Sequence, residues 1–139
     1  MNTGEKRKKS LLIAASVCYL VLVLLVTLYR DFGKQKLILT PFWEWVQLVR
    51  SGFRLHWILQ IGLNILMLVP FGFLLPQLFV KCRSLLSTAA AGVLFSVLIE
   101  VTQYVLKRGF TETDDVLHNA AGAVIGYLLY RHFSGRRKN

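Results

Sequence analysis

Acidic residues are scarce in this chain, and so are the arrangements that usually carry soluble chemistry. The 139 residues hold seven Asp and Glu against seventeen Lys and Arg, giving a formal net charge of +10 and a pI near 10.1. The two cysteines, Cys18 and Cys82, have no paired spacing, which argues against a disulfide framework or a cysteine zinc site. No metal-ligand triad, phosphate-cradling loop or nucleophile–base dyad is visible, and neither a cofactor nor a metal is expected. No repeat or low-complexity tract is present. No RNA- or DNA-binding module accompanies the basic charge, so nucleic acid is not the expected partner. What the chain has instead is apolar sequence: 55% hydrophobic residues, only 17% charged ones, and a mean hydropathy of +0.52. That balance points to a membrane protein of a single domain, 1–139.

The expected fold is an all-α integral membrane bundle of four transmembrane helices with an outer interfacial amphipathic helix. The spans read as 10–28, 57–79, 85–106 and 116–133; the third is interrupted only by Glu100 and Gln103, and the fourth is short and rich in glycine and alanine. The first is preceded by "KRKK" (Lys6 to Lys9) but is too long for a signal-peptide core and lacks a small-residue cleavage site. It is expected to stay attached as an uncleaved helix. Pro70 and Pro76 suggest a kinked or partly opened stretch in the second span.

Four crossings put both termini on one side of the membrane. Lys6 to Lys9, Lys81, Arg83, Arg131 and Arg136 to Lys138 fall on that side, with Glu5 as its acid. Asp31, Glu44, Glu112, Asp114 and Asp115 fall on the other, with the remaining seven of the seventeen basic residues, so the count of Lys and Arg is ten against seven. The positive-inside rule then leads to the expectation that both termini are cytoplasmic. On the outer side, Thr40 and Pro41 read as a helix start for an interfacial helix over 41–53. Phe42, Trp45, Val49 and Phe53 share one face of it, and Glu44, Gln47, Ser51 and Arg54 share another.

Three spans carry polar stripes at the same depth. Gln60, Asn64, Leu68 and Phe71 align on the second, Gly92, Ser96, Glu100 and Gln103 on the third, and Asp115, Asn119, Gly122 and Gly126 on the fourth. "GAVIG" (Gly122 to Gly126) is a small-residue pattern that allows close helix approach. A carboxylate in lipid is costly, so these residues are expected to turn inward and converge around one polar cavity. The binding candidates are Asn64, Glu100, Gln103, Asp115 and Asn119; Glu100 and Asp115 are also the catalytic candidates. Glu100 alternatively serves as hydrogen-bonding glue with Gln103 and Asn64. Glu112 and Asp114 read as helix-capping acids, Ser96 as a packing serine, and His118, one residue off the polar stripe, as an interfacial histidine.

Asn64 with "VPFG" (Val69 to Gly72), "IExxQ" (Ile99 to Gln103) and "DVxxNxxGxxxGY" (Asp115 to Tyr127) follow in a set order, preceded by "LTPF" (Leu39 to Phe42). From Leu39 to Tyr130 the chain thus resembles the VanZ-like family of bacterial integral membrane proteins. That family is named for a protein of a glycopeptide-resistance cluster that confers low-level teicoplanin resistance. The resemblance implies a helical membrane protein with Asn64, Glu100, Gln103, Asp115 and Asn119 on the shared positions. Many members have Asp where Glu112 stands, and the order Gly-Arg where Arg108 and Gly109 stand reversed.

Three functions compete. The first is an envelope protein binding a membrane lipid headgroup, a lipid-linked cell-wall precursor or a lipoglycopeptide such as teicoplanin. The second is a membrane enzyme using a Glu100/Asp115 carboxylate pair on a lipid-linked substrate, a pair that His118 beside Asp115 could join. The third, coupled transport, needs more helices than one chain supplies, which leaves a homo-oligomer open.

Overall fold

In the computed structural model, residues 3–29 and 35–135 are described. Asp31 and the basic run 136–138, used above to orient the chain, lie outside them. The element order is α1 (Thr3–Leu28), β1 (Gln35–Ile38), α2 (Trp43–Arg50), α3 (Arg54–Leu78), a 3-10 turn (Val80–Cys82), α4 (Leu85–Leu106), β2 (Gly109–Glu112) and α5 (Thr113–Gly135). The protein is mostly helical. Three helices, α1, α3 and α4, are long and apolar enough to cross a membrane. The helix at the fourth expected span, α5, has 23 residues but falls outside that group because it mixes glycine, alanine and polar residues with its apolar ones.

The all-α expectation needs one correction. β1 and β2 form a parallel two-stranded pair, with Gln35 opposite Gly109 and Ile38 opposite Glu112. The turn out of α4 aims β2 at β1. Lys107 closes the helix in the left-handed region (φ 54°), its N–H and that of Arg108 both reaching the Gln103 carbonyl. Gly109 follows at φ 95°, a conformation that side chains disfavour. The strand pair therefore ties the α1–α2 connection to the entry of α5.

The core lies between α3, α4 and α5, where Ile61, Leu68, Ile99, Ala123 and Tyr127 are buried. Its closest contacts are backbone to backbone. A Cβ placed on Gly122 would stand 2.0 Å from the Ile65 carbonyl oxygen, one on Gly126 2.0 Å from that of Val69, and one on Gly72 1.9 Å from that of Ala123. These distances leave room for hydrogen alone, so the glycines set the α3–α5 separation. At the opposite end from the strands, Ser84 caps α4 through a capping box with Ser87, and the Tyr127 hydroxyl donates to the Arg83 carbonyl at 3.0 Å.

The expected opening around Pro70 and Pro76 is not seen. α3 runs unbroken from Arg54 to Leu78 with both prolines inside it. Its backing by α5 along Gly72 and Val69 supports this stretch, and a helix in hydrocarbon has no other partners for its remaining backbone groups. Towards its end, the Pro76 carbonyl accepts Arg83 Nε at 3.2 Å.

α1 is the outlying helix. Ser16, Val23 and Thr27 are buried on it, whereas Leu22, Leu25 and Val26 are each more than half exposed. Exposed leucine and valine on this scale fit a lipid-facing surface. Tyr19 holds α1 to α3 by donating its hydroxyl to the Met67 carbonyl at 2.5 Å.

Candidate functional site

The strand end of the bundle buries five carboxylates: Glu44, Glu100, Glu112, Asp114 and Asp115 are all at most 5% exposed. Buried charge costs several kcal/mol unless paired, so each group's partners define the site.

Asp115 and Asn64 meet directly, the Asn64 amide nitrogen donating to Asp115 Oδ1. This joins α3 to α5. Gln60, one turn before Asn64 on α3, donates from its amide nitrogen to Glu44 Oε1. Glu44 comes from α2 and is fully buried, with Oε2 lying 3.2 Å from His118 Nδ1. On the other side of that imidazole, Trp45 Nε1–H donates to His118 Nε2 at 3.0 Å. An indole nitrogen only donates, so Nε2 must offer its lone pair and the ring proton of neutral His118 sits on Nδ1, facing Glu44.

Asp114 lies in the first turn of α5, but its carboxylate reaches across to α2. Its Oδ1 accepts the Phe42 N–H at 2.5 Å and its Oδ2 accepts the Glu44 N–H at 2.8 Å. It therefore satisfies the first turn of α2, which has no side-chain cap of its own because Phe42 occupies the N-cap position in the left-handed region. This corrects the expectation that Thr40 caps a helix starting at Pro41. The two residues precede α2 instead, and the helix is shorter than 41–53.

Glu100 faces inward from α4, with Oε2 accepting the Glu112 N–H at 3.0 Å at the end of β2. Gln103 donates to the Thr27 carbonyl of α1 at 2.9 Å. Asn119 donates to Ser96 Oγ at 2.8 Å, linking α5 to α4. Of the candidates read from the sequence, Asn64 and Asp115 are thus bonded to each other. Glu100, Gln103 and Asn119 each tie a different pair of elements at the same end.

Glu44, Glu112, Asp114 and His118 are buried here but are not among the binding candidates read from the sequence. Glu44 had been placed on a face of α2 with Gln47, Ser51 and Arg54, with no inward partner. His118, read as interfacial, is buried. One signal was present: a carboxylate in the aromatic run "FWEW" has to find a partner away from the aromatic face.

Glu44, Asp115 and His118 also offer one atom each within 4.8 Å of one another, a set that could hold a metal ion. The Trp45 bond opposes ligation through Nδ1. A neutral imidazole coordinating there would carry its proton on Nε2, against the indole N–H. The sequence had shown no such triad because its members come from α2 and α5, about seventy residues apart.

Beside this polar cluster runs a cleft between α1 and α3 of about 540 Å³. Val26, Leu59, Leu63, Leu66 and Met67 form its apolar walls, and Thr27, His56, Gln60 and Asn64 supply its polar groups. Gln60 and Asn64 thus belong to both the cleft and the carboxylate cluster.

The pattern of the VanZ/LLP1 family matches residues 12–134, most of the chain. The chain belongs to the VanZ/LLP1 family. With its three membrane-length apolar helices, it is a VanZ-type membrane protein. No curated protein and no solved structure matches it. In this VanZ/LLP1 chain the "DVxxNxxGxxxGY" segment has two physical roles. Its Asp115 and Asn119 bind α3 and α4 through side chains, while Gly122 and Gly126 bring the α3 backbone into contact.

Proposed function

We propose that this VanZ/LLP1 protein binds an amphiphile in the outer leaflet of a bacterial cell membrane. The ligand's head meets the polar cluster at Asn64 and Gln60, and its chain lies in the α1–α3 cleft. The candidate classes are a membrane lipid, a lipid-linked cell-wall precursor and a lipoglycopeptide such as teicoplanin, with a contribution to envelope function or glycopeptide resistance. In this reading α5 is a fourth crossing: 23 residues at ~1.5 Å each span roughly 35 Å, enough for a hydrocarbon core. Both termini are cytoplasmic. The strand end is then external, and α2 lies in the interface with Glu44 turned to the bundle and Val49 and Phe53 turned away.

The observation that carries the reading is the cleft itself. Its walls are apolar, its polar groups include Gln60 and Asn64, and these two residues are bonded to the buried acids Glu44 and Asp115. An amphiphile matches that gradient from hydrocarbon to polar groups.

Native mass spectrometry of protein extracted with its lipids tests the proposal. The wild type is expected to retain a discrete amphiphile, and Leu63→Trp, which fills the cleft from an exposed position, is expected to lose it. Equal retention by both proteins would exclude the cleft as the binding site.

A further inference from the structure

Building on the cleft reading, we propose that the head of the bound amphiphile is a hydrogen-bond-donating cation, a primary ammonium group, recognised by the amide oxygens of Gln60 and Asn64.

The orientation of the two amides, together with the buried acids behind them, carries this inference. An ionised carboxylate only accepts hydrogen bonds. Glu44 and Asp115 therefore require the nitrogen ends of Gln60 and Asn64, and each amide is bonded that way. One N–H of each amide is committed to a buried acid, and neither acid takes the carbonyl oxygen. Both residues line the cleft, so each can offer a ligand its carbonyl oxygen as an acceptor beside its second N–H.

Two further effects favour a cation over a neutral donor. Donation to a carboxylate polarises an amide and makes its oxygen a stronger acceptor. Behind the amides, Glu44, Asp114 and Asp115 place acidic groups in one buried cluster. In a low-dielectric setting that charge acts strongly on a head seated at Gln60 and Asn64. His56, one helical turn from Gln60 towards the start of α3, also lines the cleft and can donate to a phosphate on the same head. A bare phosphate seated at the amides would face the acids behind them, an unfavourable match.

The test compares probes that share a phosphate and differ in N–H donors. Purified protein is placed in nanodiscs with equimolar phosphatidylethanolamine and phosphatidylcholine of identical acyl chains, and the lipid retained is read by native mass spectrometry. The wild type is expected to retain the ethanolamine lipid roughly tenfold over the choline lipid, the size of a charge-assisted hydrogen bond. Gln60→Lys keeps a donor for Glu44, so it preserves that pairing while replacing the acceptor with a cation. It is expected to abolish the preference without losing helical content or thermal stability.

Equal retention of the two lipids by the wild type, with Leu63→Trp still removing both, overturns the ammonium assignment and leaves the cleft intact. An unchanged ethanolamine preference in a folded Gln60→Lys protein also overturns it. Retention of neither lipid by the wild type, together with no effect of Leu63→Trp on native lipids, overturns both readings.

Discussion

The carboxylate of Asp114 accepts the backbone N–H of Glu44 at 2.8 Å, joining two helices whose bonded residues are 70 positions apart. The same carboxylate takes the Phe42 N–H. One side chain at the start of α5 thus satisfies the first turn of α2 and holds Glu44 where its carboxylate meets Gln60 and His118.

Removing that acceptor should release α2. Asp114→Ala is expected to destabilise the protein by about 2 kcal/mol, because two N–H groups lose a charged partner. Asp114→Asn, which retains one oxygen, should fall between it and wild type. Thermal unfolding in detergent gives the ranking, and Trp45 fluorescence should shift as the indole leaves His118. A fully stable Asp114→Ala protein with unchanged Trp45 emission would show that α2 is held by other contacts.

The α3–α5 contact predicts an unusually severe response to a single methyl group. Gly122→Ala and Gly126→Ala each put a carbon about 2.0 Å from a backbone carbonyl oxygen on α3, and Leu in either place is worse still. We expect losses of about 3 kcal/mol, at the upper end for overpacking. Leu128, nearly half exposed, is the control. Leu128→Ala should cost well under about 1 kcal/mol. Equal melting temperatures for the three alanine variants would argue against the close contact.

Glu100 separates charge from shape. Glu100→Gln keeps an oxygen for the Glu112 N–H, so its stability should stay within about 1 kcal/mol of wild type, whereas Glu100→Leu should lose about 2 kcal/mol by leaving that N–H buried and unpaired. Amphiphile retention supplies the functional readout. Its loss in a stable Glu100→Gln protein assigns the charge to binding; its persistence assigns Glu100 to holding β2.

The proposed orientation is open to impermeant thiol labelling in intact cells. With Cys18 replaced by serine, native Cys82 should resist label from outside. A cysteine at Gly52, where the surrounding space is open, should react in a background that also lacks Cys82. The reverse pattern would invert the topology. Position 112 is a poor reporter because Glu112 is buried.

Much of the fold can be read along the chain because it is written in local periodicity. The apolar runs mark α1, α3 and α4, and the spacing of Asp115, Asn119, Gly122 and Gly126 marks one face of α5. Asn64 and Asp115 stand out because amides and acids amid apolar sequence must find partners. The Asp114–α2 bond leaves no such trace, since a cap supplied from 70 residues away has no spacing rule. Nor do "QKLI" and "GFTE" show clear alternation; these four-residue strands pair because α4 and α5 hold β2 in place. For Glu44, helical periodicity groups residues by face but does not say which face turns inward.

The glycine contacts also set the mechanics of the bundle. With backbone lying against backbone at Gly72, Gly122 and Gly126, α3 and α5 cannot slide or roll past each other without collision, so they move as a single rigid beam. α1 has no such constraint, and its grip includes the Tyr19 hydroxyl on Met67 and the Thr27 carbonyl under Gln103. Compliance is therefore concentrated on one wall of the cleft. Widening the cleft strains a few hydrogen bonds on α1, while the polar cluster stays anchored to the beam.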